Sequence, residues 1–111
     1  MNIKTDVLRE IIAECHEDYV GLWLIARKVK DAGRADEPST MSVVLTLVTA
    51  LLAHEGITAG QFKDFQFEVW KETPNVIVER IKREWVELGR TPSLGDIVWF
   101  AAAERTLTNG R

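Results

Sequence analysis

Cysteine occurs once in this 111-residue chain, at Cys15. No intramolecular disulfide framework is possible, and such sparing use fits a reducing compartment. Histidine occurs only twice, at His16 and His54, which with one cysteine leaves few of the ligands that zinc sites use. A basic surplus is missing as well: 14 Lys and Arg against 17 Asp and Glu give a net charge of −3. That balance supplies no electrostatic drive toward nucleic acid or an anionic membrane. No apolar run approaches the ~20 residues that cross a bilayer. Met1 leads into N-I-K-T-D without an apolar signal core, so we expect no export signal, a cytoplasmic location and no membrane association. Repeats, low-complexity segments, a G-x-S-x-G elbow, a phosphate loop and a dinucleotide fingerprint are all absent.

What remains is ordinary globular composition, 46% hydrophobic and 28% charged, in a chain whose length suits one domain spanning 1–111. Its longest apolar stretch lies between Ser39 and Gly56. Val43, Val44, Leu45, Leu47, Val48, Leu51 and Leu52 leave almost no polar face, which predicts a core helix wrapped by the rest of the chain. Ser39 or Thr40 would cap its start, and Gly56 would close it in a left-handed conformation. Ser42, Thr46, Thr49 and Ala53 fall on one narrow strip of that helix.

Two helices are predicted ahead of it. Val7, Leu8, Ile11, Ile12 and Cys15 recur at helical spacing over 5–17, with Thr5 or Asp6 as cap. Asp18 would cap a second helix over 19–32, with Leu22, Ile25, Ala26 and Val29 as its apolar stripe and Gly33 as its end. Residues 21–35 carry Arg27, Lys28, Lys30 and Arg34 against Asp31, a local charge of +3.

Beyond Gly56 the period shortens. Alternation predicts a short strand near 57–62 and another near 64–70, the latter with Phe65, Phe67 and Val69 on one side. Thr73-Pro74 is a helix start, and Ile77, Ile81, Trp85 and Leu88 continue the pattern until Gly89 and Pro92 stop it. Glu79–Arg83, Arg80–Glu84 and Arg83–Glu87 are i,i+4 pairs on its wet face. The final stretch is balanced between two states. Ile97-Val98-Trp99-Phe100 favours a strand over 97–101, whereas the capping-box pattern Ser93-Leu94-Gly95-Asp96 and the alanines after it favour a helix. The expected class is α+β: mostly helical, three helices plus a small antiparallel sheet and a fourth helix. The alternative is all-α.

Three patterns extend over most of the chain: D-Y-V-G-L-W at 18–23, L-L-x-x-x-G-I-x-A-G-x-F at 51–62, and E-W-x-x-L-G-R-x-P-x-L-G-D-I-V-W-F at 84–100. On these the chain resembles small uncharacterised bacterial proteins of winged-helix-like arrangement, with the 73–88 helix standing where a simple wing is usual. The resemblance implies fold and kinship and brings no activity with it.

Candidate sites are few. Glu14-Cys15-His16-Glu17-Asp18 has carboxylate and imidazole ligands, yet it reads more simply as an acidic, soluble helix end with a buried thiol. His54 would serve the end of the core helix through its dipole. No catalytic, cofactor-binding or metal residue is assigned. A winged-helix DNA-binding regulator is the competing reading, but residues 38–53, which would hold the groove-reading helix, contain no Lys, Arg, Asn or Gln. Aromatic residues concentrate late, at Phe62, Phe65, Phe67, Trp70, Trp85, Trp99 and Phe100, and most are expected to fill the core under the sheet. Any left exposed together would mark a protein interface. The sequence therefore points to a non-enzymatic protein-interaction or regulatory domain that binds a protein partner or a second copy of itself. Its candidate partner surface is Trp23, Arg27, Lys30, Arg34, Trp70 and Trp99.

Overall fold

A computed structural model of the chain describes residues 3–31, 39–54 and 56–103. The elements run α1 (Ile3–Glu17), β1 (Val20–Gly21), α2 (Leu22–Asp31), α3 (Ser39–Ala53), β2 (Ile57–Lys63), β3 (Gln66–Val69), α4 (Pro74–Leu88) and β4 (Trp99–Ala102). The fold is α+β, with four helices and one antiparallel sheet in the order β1-β4-β2-β3.

The apolar circumference of α3 produces the expected core helix. Val44, Leu47, Val48 and Leu51 are buried, and Met41, Val43, Leu45 and Leu52 pack against the same core. Ser42, Thr46, Thr49 and Ala53 are exposed, as their spacing predicts. Thr46 and Thr49 turn their hydroxyls back to the carbonyls of Ser42 and Leu45, at 3.0 and 2.8 Å. Ser39 and Thr40 lie inside the helix, and what precedes Ser39 is outside the described residues. The end differs too: the helix stops at Ala53, and Gly56 takes its positive φ of 88° beyond it, just before β2.

Helices α1 and α2 bury the stripes read from their periodicity: Val7, Ile11 and Cys15 from one, Leu22, Ile25, Ala26 and Val29 from the other. α1 begins at Ile3, so Thr5 and Asp6 lie inside it rather than at its cap. Asp18 caps no helix. Its carboxylate accepts from the N–H of Tyr19 at 2.7 Å, and Val20–Gly21 then pairs with β4 before α2 begins. A two-residue strand is too short to show a period, which is why this stretch reads as helix in sequence. The predicted end of α2 and the polar loop after it, including Arg34, lie outside the described residues.

The second half forms the predicted hairpin with one correction. Asp64 and Phe65, placed in the second strand by alternation, make the turn instead, and β3 is reduced to Gln66–Val69. α4 starts at Pro74 as predicted, although the Thr73 hydroxyl makes no capping hydrogen bond, and Gly89 ends it with its N–H on the Trp85 carbonyl at 3.2 Å. Of the three i,i+4 pairs, Arg80–Glu84 closes at 2.8 Å. The balance at 93–105 falls to the strand, but at Trp99–Ala102 rather than 97–101. Ser93 and Asp96 do make a box-like set: the Asp96 carboxylate accepts from the N–H and hydroxyl of Ser93, while the Asp96 N–H donates to the Ser93 carbonyl. The chain then enters a strand, so the motif closes a turn instead of starting a helix.

Helices α1 and α3 lie against one face of the sheet, where Val20, Ile57, Ala59, Phe100 and Ala102 meet the core. On the far side α4 packs on α3 through Ile77, Ile81 and Trp85. Trp85 is only 3% exposed. Trp85→Ala should therefore cost about 3–5 kcal/mol, the usual loss for a buried aromatic. Denaturant titration checks this; an unchanged midpoint would be incompatible with the packing of α4.

Candidate functional site

Expected core aromatics turn out to be mostly elsewhere. Phe100 and Trp85 are buried, but Phe62, Phe65, Phe67, Trp70 and Trp99 are not. The cause is the period-two alternation of the sheet. In β4, Phe100 pairs with Ala59 and faces the core, so Trp99, paired with Gly60, faces the opposite way. Phe62 and Phe67 pair with each other on that same outer face.

There four rings assemble. Tyr19 lies 4.8 Å from Phe62 and 4.9 Å from Phe67, centroid to centroid. Phe62 lies 5.3 Å from Phe67 and meets Trp99 edge-on at 5.5 Å. Such edge and tilted pairs contribute about 0.5–1.5 kcal/mol each beyond area burial. The rings fill one another's faces, leaving no gap for a cation between them, so the group is a surface and not an aromatic cage. Gly60 makes the arrangement possible, since a Cβ there would run into the Glu68 carbonyl and the Phe67 ring. Trp23 and Trp99 both lie over Gly21, which brings Trp23 to the end of the patch. The Trp23 indole N–H is buried without a hydrogen-bond partner among the described residues, a state that costs on the order of 1–3 kcal/mol.

The hairpin tip carries the outermost ring. Asp64 and Phe65 have φ of 52° and 66°, the positive values that a type I′ turn demands at both central positions. Aspartate tolerates this conformation, whereas phenylalanine does so at a cost of roughly 1–2 kcal/mol. The Phe65 side chain gains no burial in return, being fully exposed at 102%.

The six residues singled out from sequence divide accordingly. Trp99 and Trp23 belong to the outer face. Trp70 follows β3, half-buried, with the Arg80 guanidinium 3.7 Å over its ring. Arg27 and Lys30 are exposed on α2, and no ring contact or ion pair among the described residues joins them to the tryptophans. Arg34 lies outside those residues. Tyr19, Phe62 and Phe67 were missed as site residues. The clean alternation of 65, 67 and 69 could have found Phe67, but nothing local announces that Tyr19 would reach across from β1.

Three basic side chains, Lys28, Arg80 and Arg90, are held by carboxylates. Lys28 sits 2.9 Å from Glu14 and 3.1 Å from Glu10, and its hydrogen bond to Glu14, supported by Glu10, holds its ammonium above the usual lysine pKa. Arg80 pairs with Glu84, and Arg90 with Asp96 at 2.9 Å. Asp96 is held below the usual carboxylate range, first by the Ser93 N–H and then by Arg90. In the 14–18 segment Cys15 points into the core, Glu14 is held by Lys28, and His16 is exposed. Among the described residues no three His, Cys, Asp or Glu side chains converge as metal ligands. No helix there is long and apolar enough to cross a membrane. No family model, curated protein or solved structure matches the chain.

Burial, reinforced by the Glu14 charge, pushes the Cys15 thiol up to about 12. The folded state thus keeps a proton that the unfolded chain loses near pH 8.5. This term is fully present below that pH and is lost as pH rises toward 12, at about 1.4 kcal/mol per unit. Stability curves for the parent and Cys15→Ala should diverge at neutral pH and converge through pH 9–11. Parallel curves over that window would place the thiol in solvent.

Proposed function

We propose that the chain is a non-enzymatic interaction domain whose contact surface is the outer sheet face formed by Tyr19, Phe62, Phe67 and Trp99 and extended by Phe65. The observation that carries this reading is Phe65, a fully exposed aromatic held in backbone that favours glycine or asparagine. A side chain with an energetic cost and no intramolecular return is accounted for by an intermolecular one. The cytoplasmic setting expected from the sequence belongs to the same proposal.

Phe65→Gly should raise stability by about 0.5–1 kcal/mol, because relief of left-handed strain exceeds the added freedom of the unfolded chain. Combined with Phe62→Ser it should abolish association. Native-size fractionation of the source cell extract checks this: the parent should migrate in an assembly larger than one chain, and the double variant, still folded, as a monomer. A parent migrating as a monomer, or an assembly indifferent to both substitutions, would overturn the reading.

The winged-helix DNA regulator remains the second reading, favoured by the helix order and the antiparallel sheet. α3 would enter the groove, yet its exposed strip offers Ser42, Thr46 and Thr49, and two of those hydroxyls already bond their own helix. Lys82 of α4 borders the shallow groove beside Thr46 and Thr49. Residues 36–72 carry six negative and two positive charges, a net −4, which repels phosphate. Anisotropy titration against mixed genomic fragments should give only weak binding that salt removes. Sequence-selective, sub-micromolar binding at ~150 mM salt, lost in Thr46→Glu/Thr49→Glu, would install the regulator instead.

A further inference from the structure

The sheet order leaves β3 on the outside, with no strand paired to its far edge among the described residues. Which of its main-chain groups are free follows from the register. Opposed residues in an antiparallel pair alternate between exchanging hydrogen bonds and exchanging none. The Trp70 N–H donates to the Ala59 carbonyl at 2.8 Å, making 59–70 a bonded pair. Counting back, Gly60–Val69 is unbonded, Gln61–Glu68 bonded and Phe62–Phe67 unbonded. The N–H and C=O of Phe67 and Val69 therefore point outward, along the edge that adjoins the aromatic face.

Resting on the interaction reading above, we propose that the occupant of this edge is a second copy of the chain. It docks β3 against β3 in antiparallel fashion, with the two-fold axis at Phe67, to give one continuous eight-stranded sheet. Two symmetric registers use the outward groups of Phe67, and charge separates them. An axis at Glu68 would set Glu68 directly against its own copy, an unfavourable like-charge pair. An axis at Phe67 instead sets Gln66 against Glu68 twice, an amide facing a carboxylate. It brings the exposed Phe65 of each hairpin tip level with Val69 of the other copy. Lys71 of each copy then runs past the other tip, where exposed Lys63 and Asp64 balance each other's charge. The strained, unburied Phe65 thereby gains the apolar neighbour it lacks in the monomer. A four-residue edge buries less than a standard interface, so the dimer is a weak one, with Kd on the order of 10–100 µM.

Sedimentation equilibrium of the full chain over about 5–500 µM tests this, using charge changes at exposed Gln66 that leave the fold intact. Gln66→Lys faces Glu68 of the copy and should tighten the dimer roughly fivefold, while Gln66→Glu should loosen it by a similar factor. Cysteine cross-linking fixes the register. Under oxidation Phe67→Cys should link the two copies and Glu68→Cys should not, because only position 67 opposes itself at Cα separations near 5.5 Å. Buried Cys15 does not compete. A chain that stays monomeric throughout, Gln66 variants that shift together, or cross-linking through Glu68→Cys alone would each overturn the proposal. Should the purified chain be monomeric while the extract still holds a Phe65-dependent assembly, self-pairing fails and the interaction reading stands. Should both vanish, both fail.

Discussion

β4 is hydrogen-bonded on both sides, to β1 through Val20–Phe100 and Gly21–Trp99 and to β2 along Ile57–Gly60. It joins the first part of the chain to the last, with 80 positions between Val20 and Phe100. Until this strand arrives, β1 has no partner and β2 only its hairpin mate. Its alternation also sets the two faces of the sheet. Phe100 enters the core under α1 and α3, and Trp99 is thereby turned outward. A slip of one residue would exchange them, burying an indole where a phenyl ring fits and exposing the phenyl ring. Core and candidate surface are consequently one structural decision. No local change can move Trp99 inward without expelling Phe100.

That coupling explains how so small a domain carries so many rings outside its core. The helices cover one face of the sheet, and α3, apolar nearly all round, uses the available burial for itself. α4 closes over α3 with Trp85, the one tryptophan of the four that is fully buried, while Trp70 packs half-buried against the core. The outer face is left to pack on its own. Tyr19, Phe62, Phe67 and Trp99 do so with one another, a local cluster that stabilises the hairpin yet leaves apolar area in solvent. Phe65 is different in kind, since it joins no cluster and sits in disfavoured backbone.

Much of the scaffold was legible in the sequence. Every long element, α1 to α4, is marked by periodicity that survives into the structure, because burial of one face dictates both the pattern and the packing. The errors lie where the signal is short or non-local. β1 has two residues. Asp64 and Phe65 continue an apolar alternation that a turn interrupts, and no glycine or asparagine advertises the turn. Ser93 to Asp96 makes one of the two hydrogen bonds of a capping box, from the Ser93 N–H to the Asp96 carboxylate, without a helix to follow, so a local motif left the element undecided. The site was harder still. Trp23 and Trp99 could be selected as surplus aromatics, but Tyr19 joins them only through pairing across 80 residues of chain, which composition and spacing do not encode.

The disposition of charge narrows what the outer face can meet. Lys28, Arg80 and Arg90 are each drawn to carboxylates on neighbouring turns or helices, which removes them from the cationic footprint suggested by counting Lys and Arg along the chain. What remains beside the rings is mixed, with Lys63 next to Asp64, and Glu68 and Glu72 close to Lys71. Stacked nucleobases need rings presented face-on within a positive groove. Here the rings are tilted into one another and the hairpin is slightly acidic, so the face suits apolar side chains bordered by charges of both signs. A protein surface has that composition, and an edge strand with outward main-chain groups beside it has the geometry to align one. The two features share a hairpin whose tip holds the exposed Phe65 in left-handed backbone.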